Sequence, residues 1–386
     1  MMNNISILPH EQCTGCLLCV EICPLECISR AKDVLGFNYP TIDSNKCIQC
    51  GKCVAMCPAL NDVHTTLPQK VFAAKWKNSA SLARCSSGGV ASAIASRVLE
   101  QGGVYYGAVS SCDCSIKYRR FDNPDTIEDS KGSKYVQSDL DIVYERIKED
   151  LSKRKVLFVG APCQCAAIEK FCIEGRDNLF TVSFPCGGWT STDVLKAEVE
   201  RLTGEWKCEK VIMRKRHNVS VDVYRDGKMC ASCIPNFSYF MTALDYKLSV
   251  RESCWNCKYC TPERLGDIVL GDYWGLTESN IFSKEDIKDG VSFIGCLTEK
   301  GERLFNEIFQ SINVHSAEYS DVRQRNPRLN GVIEQDMTFS RKRRNRFLKL
   351  YSRFGLEKAT ILSEPQRHAL RVLRGIIKYK IYRGKE

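Results

Sequence analysis

The chain has 386 residues, 44% of them apolar and 26% charged, enough for a small module followed by one large or two ordinary globular domains. Its net charge of +10 belongs to one end: residues 341–386 hold 15 Lys/Arg against three Asp/Glu, so the body is close to neutral and is no nucleic-acid groove. No run of about 18 apolar residues occurs, the first ten residues lack the basic and apolar stretches of a signal peptide, and 23 cysteines in a chain this long argue for a reducing, cytoplasmic setting.

The first sixty residues read Cys13-x-x-Cys16-x-x-Cys19-x-x-x-Cys23-Pro24, then repeat as Cys47, Cys50, Cys53, Cys57 and Pro58. Two such runs are the sequence form of a module holding two [4Fe–4S] clusters. Three thiolates two residues apart wrap a loop around one cluster, and the fourth points to the other. Cys13, Cys16 and Cys19 are therefore expected to share a cluster with Cys57, and Cys47, Cys50 and Cys53 with Cys23. Zinc is the competing reading of C-x-x-C, but zinc takes two pairs of ligands, not two sets of four with a proline after each. Cys27 falls outside the pattern and reads as a buried spare.

After a polar linker around Asn61–Gln69, Val71–Trp76 reads as a strand, followed by Ser86-Ser87-Gly88-Gly89 and a helix over Val90–Leu99, with Ser86 or Ser87 as its N-cap. Glycines at such a turn fit either an anion-binding loop or an ordinary tight connection. Val104–Val109 reads as the next strand. Lys131-Gly132-Ser133-Lys134-Tyr135 is a basic, hydroxyl-bearing loop ahead of a helix near Leu140–Leu151, suited to phosphate or simply to solvent.

Lys155–Gly160 has the apolar run of a buried parallel strand and leads into Pro162-Cys163-Gln164 and a helix. Phe180–Phe184 leads into Pro185-Cys186-Gly187-Gly188 and a helix over Thr192–Leu202. Strand, turn and helix recur, which is α/β grammar with sites at the carboxyl ends of strands. Val211–Arg216, Val219–Tyr224 and Lys228–Ser232 read as antiparallel strands. Cys254, Cys257 and Cys260 then repeat the three-cysteine spacing without a fourth. They fit a further cluster completed by Cys163 and Cys186, three buried thiols, or a zinc site. Near the end, Leu370, Leu373, Ile377 and Ile381 form one helical stripe and Arg367, Arg371, Arg374 and Lys378 another. Such a helix suits an anionic membrane surface, the protein's own body or a partner.

The ordered set Ser86–Gly89, Gly132–Tyr135, Gly160-x-Pro162-Cys163-Gln164, Cys186-Gly187-Gly188, Cys254-x-x-Cys257 and Asp267-Ile268-x-x-Gly271-Asp272-x-Trp274-Gly275 resembles the beta subunit family of coenzyme F420-reducing hydrogenase and related dehydrogenases. Plant chlorophyll-modifying reductases look similar. The resemblance runs from about Val71 to Arg328. It implies a flavoprotein that binds FAD, with a third [4Fe–4S] cluster held by Cys163, Cys186, Cys254 and Cys257, and Cys260 not required. The loops Ser86, Ser87, Gly88, Gly89 and Gly132, Ser133, Lys134, Tyr135 would face the flavin.

The expected fold class is α+β/α/β: a dicluster ferredoxin-like module over residues 1–62, a mixed α/β flavin-binding and iron–sulfur domain over 70–335, and a basic, helical tail over 341–386. The expected function is an iron–sulfur flavoprotein oxidoreductase that relays single electrons to FAD for two-electron reduction, or oxidation, of a small molecule such as an F420-like cofactor or a pathway metabolite. The alternative is an electron-transfer subunit feeding a separate catalytic partner, and a non-redox protein with structural metals is a third. The expected partners are a redox protein such as ferredoxin or reduced F420, a small-molecule substrate, and a membrane surface touched through the tail; nucleic acid is not expected. No residue stands out as a catalytic acid.

Overall fold

The computed structural model describes residues 3–216, 218–331 and 337–383. The amino-terminal module is built twice from the same local conformation. Gly15 (φ 68) and Leu17 (φ 58) flank Cys16, and Gln49 (φ 54) and Gly51 (φ 76) flank Cys50, so each cysteine loop alternates left- and right-handed backbone. That alternation turns successive N–H groups toward a common centre, the arrangement that receives anionic sulfur. One short helix follows each loop, Leu18–Glu21 and Lys52–Ala55. Between the repeats β1 (Ile28–Lys32) and β2 (Asn38–Ile42) pair as an antiparallel hairpin.

The body is organised on one large sheet. Its strands in chain order are β3 (Lys70–Trp76), β4 (Val104–Ser110), β5 (Ile116–Phe121), β6 (Ser138–Asp139), β7 (Val156–Gly160) and β8 (Leu179–Ser183). The chain leaves it for a three-stranded antiparallel sheet of β9 (Lys210–Lys215), β10 (Asn218–Arg225) and β11 (Lys228–Cys233). It returns with β12 (Ile268–Asp272), β13 (Ser292–Cys296) and β14 (Ile312–Ala317), giving the order β14-β3-β13-β12-β8-β7-β4-β5-β6. The centre, β12-β8-β7-β4, is parallel, and β3, β13 and β14 are antiparallel on one flank. Every residue of β8 is buried, as a strand covered on both faces requires. The α/β grammar read from the sequence thus describes the middle of a mixed sheet.

Two local readings differ from the structure. The helix Val90–Glu100 is not capped by Ser86 or Ser87: its N-cap is Gly89 at φ 73, without a side-chain bond. A left-handed residue turns the chain into the helix here, and glycine adopts that conformation without steric cost. The serines line the adjoining cavity instead. The antiparallel flank was also not anticipated beyond β3, because β13 and β14 owe their stability to pairing with distant strands and carry little local signal.

Residues Met337–Ser363 form a helix broken at Gly355 (φ 75), and Pro365–Arg383 form a second. Phe347, Leu356 and Ala359 of the first are buried in the same core as Met241, Leu248 and Val250. On the second, Leu370, Leu373, Ile376 and Ile377 are 55%, 53%, 42% and 49% exposed, while Gly375 lies against Phe237. The side chains of Arg367, Lys378 and Ile381 lie outside the described residues. Among those described, no helix is long and apolar enough to cross a membrane.

Candidate redox site

The amino-terminal cysteines sort into two groups of the expected membership. One cavity is lined by Cys13, Cys16, Cys19 and Cys57 with Pro58, and a second by Cys23, Cys47, Cys50 and Cys53 with Pro24. The second group is the outer one: Cys50 is exposed and Ile48 beside it is 69% exposed. The inner group faces the body. Burial pushes the Cys16 thiol up to about 12, with neighbouring Cys13 and Cys57 adding to it.

The body holds the inner group through three long-range contacts. Arg251, 1% exposed, donates from Nε to the Cys13 carbonyl at 2.8 Å and from Nη2 to the Asn38 carbonyl at 2.9 Å, with Nη2 3.7 Å from Cys13 Sγ. Its guanidinium lies 4.0 Å from the centre of the Tyr39 ring. Tyr144 donates its hydroxyl to the Cys16 carbonyl at 2.8 Å, and Lys258 donates to the Pro58 carbonyl at 2.9 Å.

A third group forms from three separate segments. Cys163 opens the helix Pro162–Phe171 after β7, Cys186 follows β8, and Cys254 and Cys257 come from the loop before β12. The Cys163 thiol is raised well above its ordinary value, first by burial and then by the charges of Cys186, Cys257, Cys254 and, beyond them, Cys16. Burial likewise pushes Cys186 to about 12 and Cys257 to about 11. Bare thiolates are therefore unfavourable here, and the positive charge of bound iron is what would deprotonate them. Arg328 donates from Nε to the Cys186 carbonyl at 2.9 Å and from Nη2 to the Cys254 carbonyl at 3.4 Å. The Gly188 amide lies 3.4 Å from Cys186 Sγ. Cys260, 5% exposed, sits beside Cys257 at the buried Arg264. Tyr259, 4% exposed, stands between the inner and third groups, within the fields of Cys163, Cys16, Cys257 and Cys57. Among the described residues no three His, Cys, Asp or Glu side chains converge as for a single metal ion.

Cys186 also lines a cavity of about 550 Å³ at the carboxyl ends of β8 and β12. Its walls include Ser86, Ser87, Gly89, Gly132, Ser133, Lys134 and Tyr135 from the two loops singled out in the sequence. Gly88 is not a wall: its amide donates to Ser292 Oγ at 3.0 Å, and a Cβ there would stand 2.3 Å from the Ala74 carbonyl. Its role is close backbone packing that sets the loop. Ser133 donates to Ser86 at 2.9 Å, joining the two loops. Lys134 turns away from solvent and donates to the carbonyls of Asp129, Ser130 and Lys131 at 3.1, 2.6 and 2.8 Å.

Sequence reasoning missed Arg214 as a wall of this cavity. It reaches from β9 to pair with Asp272 at the end of β12, two bonds of 2.9 and 3.0 Å, and donates to the Ser86 carbonyl at 2.8 Å. Asp272 lay inside a quoted motif, but nothing local singles out Arg214. The cavity fits an elongated ligand with a polar, anionic part. It offers a buried Ser87 hydroxyl without a partner, the glycines Gly89 and Gly132 at positive φ, and the rings of Trp189 and Trp274.

Comparison with known proteins agrees with this division. Residues 153–322 match the family model for the C terminus of the coenzyme F420 hydrogenase/dehydrogenase beta subunit. Residues 12–61 match a 4Fe-4S dicluster domain, and a second dicluster model matches 39–108. The chain belongs to the coenzyme F420 hydrogenase/dehydrogenase beta subunit family, behind a 4Fe-4S dicluster module. The beta-subunit match takes in Cys163, Cys186, Cys254, Cys257, Arg214 and Asp272. A seven-iron ferredoxin of Hydrogenibacillus schlegelii is 44% identical over 50 residues, 12% of this chain and 58% of that protein. An uncharacterised protein of Porphyra purpurea is 36% identical over 50 residues, 12% of this chain and 67% of the relative. A solved structure of the F420-reducing [NiFe] hydrogenase complex from Methanosarcina barkeri aligns over 70% of this chain and 91% of its own, at 18% identity and a TM-score of 0.46. The family and the module make this an iron–sulfur oxidoreductase chain.

Proposed function

We propose that this chain is an iron–sulfur flavoprotein that passes single electrons from the outer cysteine group through the inner and third groups to FAD, for two-electron chemistry on a small molecule of the F420-like or metabolite class. One observation carries the reading: Cys163, Cys186, Cys254 and Cys257 gather between the inner ferredoxin group and the large cavity, and Cys186 belongs to both. When bound, the clusters supply one-electron steps and FAD couples them to two-electron chemistry.

The chain's own residues orient and insulate that path. Arg251, Tyr144 and Lys258 seat the module so that its inner group faces the third one. Tyr259 and Arg264 fill the space beside it and exclude water. Arg328 and the Gly188 amide place positive charge near the third group, which favours its reduced state. The Ser86–Gly89 and Gly132–Tyr135 loops, with Arg214, would hold the flavin and its phosphates. The exposed apolar stripe of Pro365–Arg383, on a strongly basic segment, supports contact with an anionic membrane surface.

A second reading, an electron-transfer subunit that serves a separate catalytic partner, is favoured by the way the cavity's charges are engaged: Arg214 with Asp272, Lys131 with Glu128, Lys134 with carbonyls. Anaerobic purification with iron, sulfide and flavin quantitation tests the main reading. About twelve irons and one FAD per chain are expected for three clusters; about eight irons without flavin would reduce the chain to a dicluster carrier. Reduction of F420 by the isolated chain with reduced ferredoxin then separates the two readings.

A further inference from the structure

The outer cavity holds more thiols than a cluster has corners. Cys23, Cys47, Cys50 and Cys53 line it, and so does Cys27. Cys27 is 5% exposed, and its Sγ lies 3.4 Å from Cys23 Sγ. The inner cavity, by contrast, is lined by four cysteines only. The geometry points to Cys27 as an alternate fourth ligand of the outer cluster, able to take the place of Cys23. This rests on the reading that the outer cavity holds a [4Fe–4S] cluster.

The backbone supports an exchange without unfolding. Cys23 and Cys27 close a tight turn in which the Glu26 amide donates to the Cys23 carbonyl at 3.1 Å, with Glu26 at φ 47. Cys27 is fixed by the hairpin, its carbonyl accepting from the Asp43 amide at 2.8 Å. Both side chains thus approach the same corner from anchored positions, and a rotation about χ1 with a small loop shift carries one sulfur to where the other stood. No electron moves in the exchange: Cys27 gives up its thiol proton as its sulfur binds iron, and Cys23 takes one up as it leaves. The outer group is also the one with an exposed cysteine, Cys50, and so the one most open to oxidants that attack a ligand thiolate. A second thiol there keeps the cluster after such damage.

The test is iron and sulfide content, with EPR of the reduced protein, on the anaerobically purified full chain. Cys23→Ala is expected to keep the wild-type iron content and both module signals, as is Cys27→Ala, whereas Cys23→Ala/Cys27→Ala is expected to lose about four irons and one signal. Loss of four irons from Cys23→Ala alone overturns the inference. Should alanine unsettle the turn, Cys23→Ser keeps its volume: a reduction potential near wild type indicates Cys27 sulfur as the ligand, and a shifted potential with altered signal indicates serine oxygen and overturns it. A wild-type chain without iron would overturn the underlying reading instead.

Discussion

Arg251 Nε donates to the carbonyl of Cys13, 238 residues earlier in the chain, at 2.8 Å. The same guanidinium lies under Gly15, where an added Cβ would come within 2.5 Å of it, so the loop carries glycine at the one point where the arginine passes. A fully buried cation beside a cysteine sulfur favours an extra electron on whatever that sulfur binds. Arg251→Met should therefore lower the potential of the inner cluster. One charge-assisted bond, about 1.5 kcal/mol, corresponds to about 60 mV for a one-electron couple. An EPR-monitored redox titration measures it, and an unchanged potential would separate Arg251 from the inner group.

The four cysteines of the third group act as a set. Cys254→Ala should remove about a third of the iron, leaving two clusters of three, while the flavin largely stays because the cavity walls from Ser86 to Gly89 and Gly132 to Tyr135 are untouched. Unchanged iron content would sink the assignment of Cys163, Cys186, Cys254 and Cys257.

Arg214 and Asp272 form a two-bond pair, each about 14% exposed, at the cavity wall. Removing one partner strands the other with little water, at a cost of about 3 kcal/mol. Asp272→Asn and Arg214→Gln should each lower the melting temperature and the flavin-to-iron ratio with iron content unchanged. A flavin ratio equal to wild type in both would place the flavin elsewhere.

Lys134 offers a pH test. Burial pulls its ammonium down to about 7, against three accepting carbonyls that favour the charge. Because its folded value is below the unfolded one, the unfolded chain binds the extra proton between about 7 and 10.5, and stability from this residue rises with pH across that window. Wild type should thus gain on Lys134→Met as pH rises from 7 to 9.5 in thermal melts. Parallel curves would mean that the carbonyls win and the lysine stays charged.

The exposed stripe Leu370, Leu373, Ile376 and Ile377 calls for a covering surface. The chain should sediment with phosphatidylglycerol vesicles at low salt, much less with phosphatidylcholine, and Leu373→Glu/Ile377→Glu should abolish the binding. Absence of pelleting with either lipid would rule out the membrane contact.

What the sequence determined by itself is the local part. Two cysteine runs of fixed spacing need only neighbouring residues to shape their loops, and the left-handed turns at Gly15, Leu17, Gln49 and Gly51 are written into those few positions. The parallel strands β7 and β8 were legible for the same reason, as apolar runs closed by turns. The tertiary structure decided everything that joins distant segments: that Cys163, Cys186, Cys254 and Cys257 converge, that Arg214 closes on Asp272, that Arg251 reaches Cys13, and that Gly89 rather than a serine caps its helix. Such contacts depend on which strands lie side by side in the sheet, and strand pairing between far-apart residues leaves no period or spacing in the chain to read.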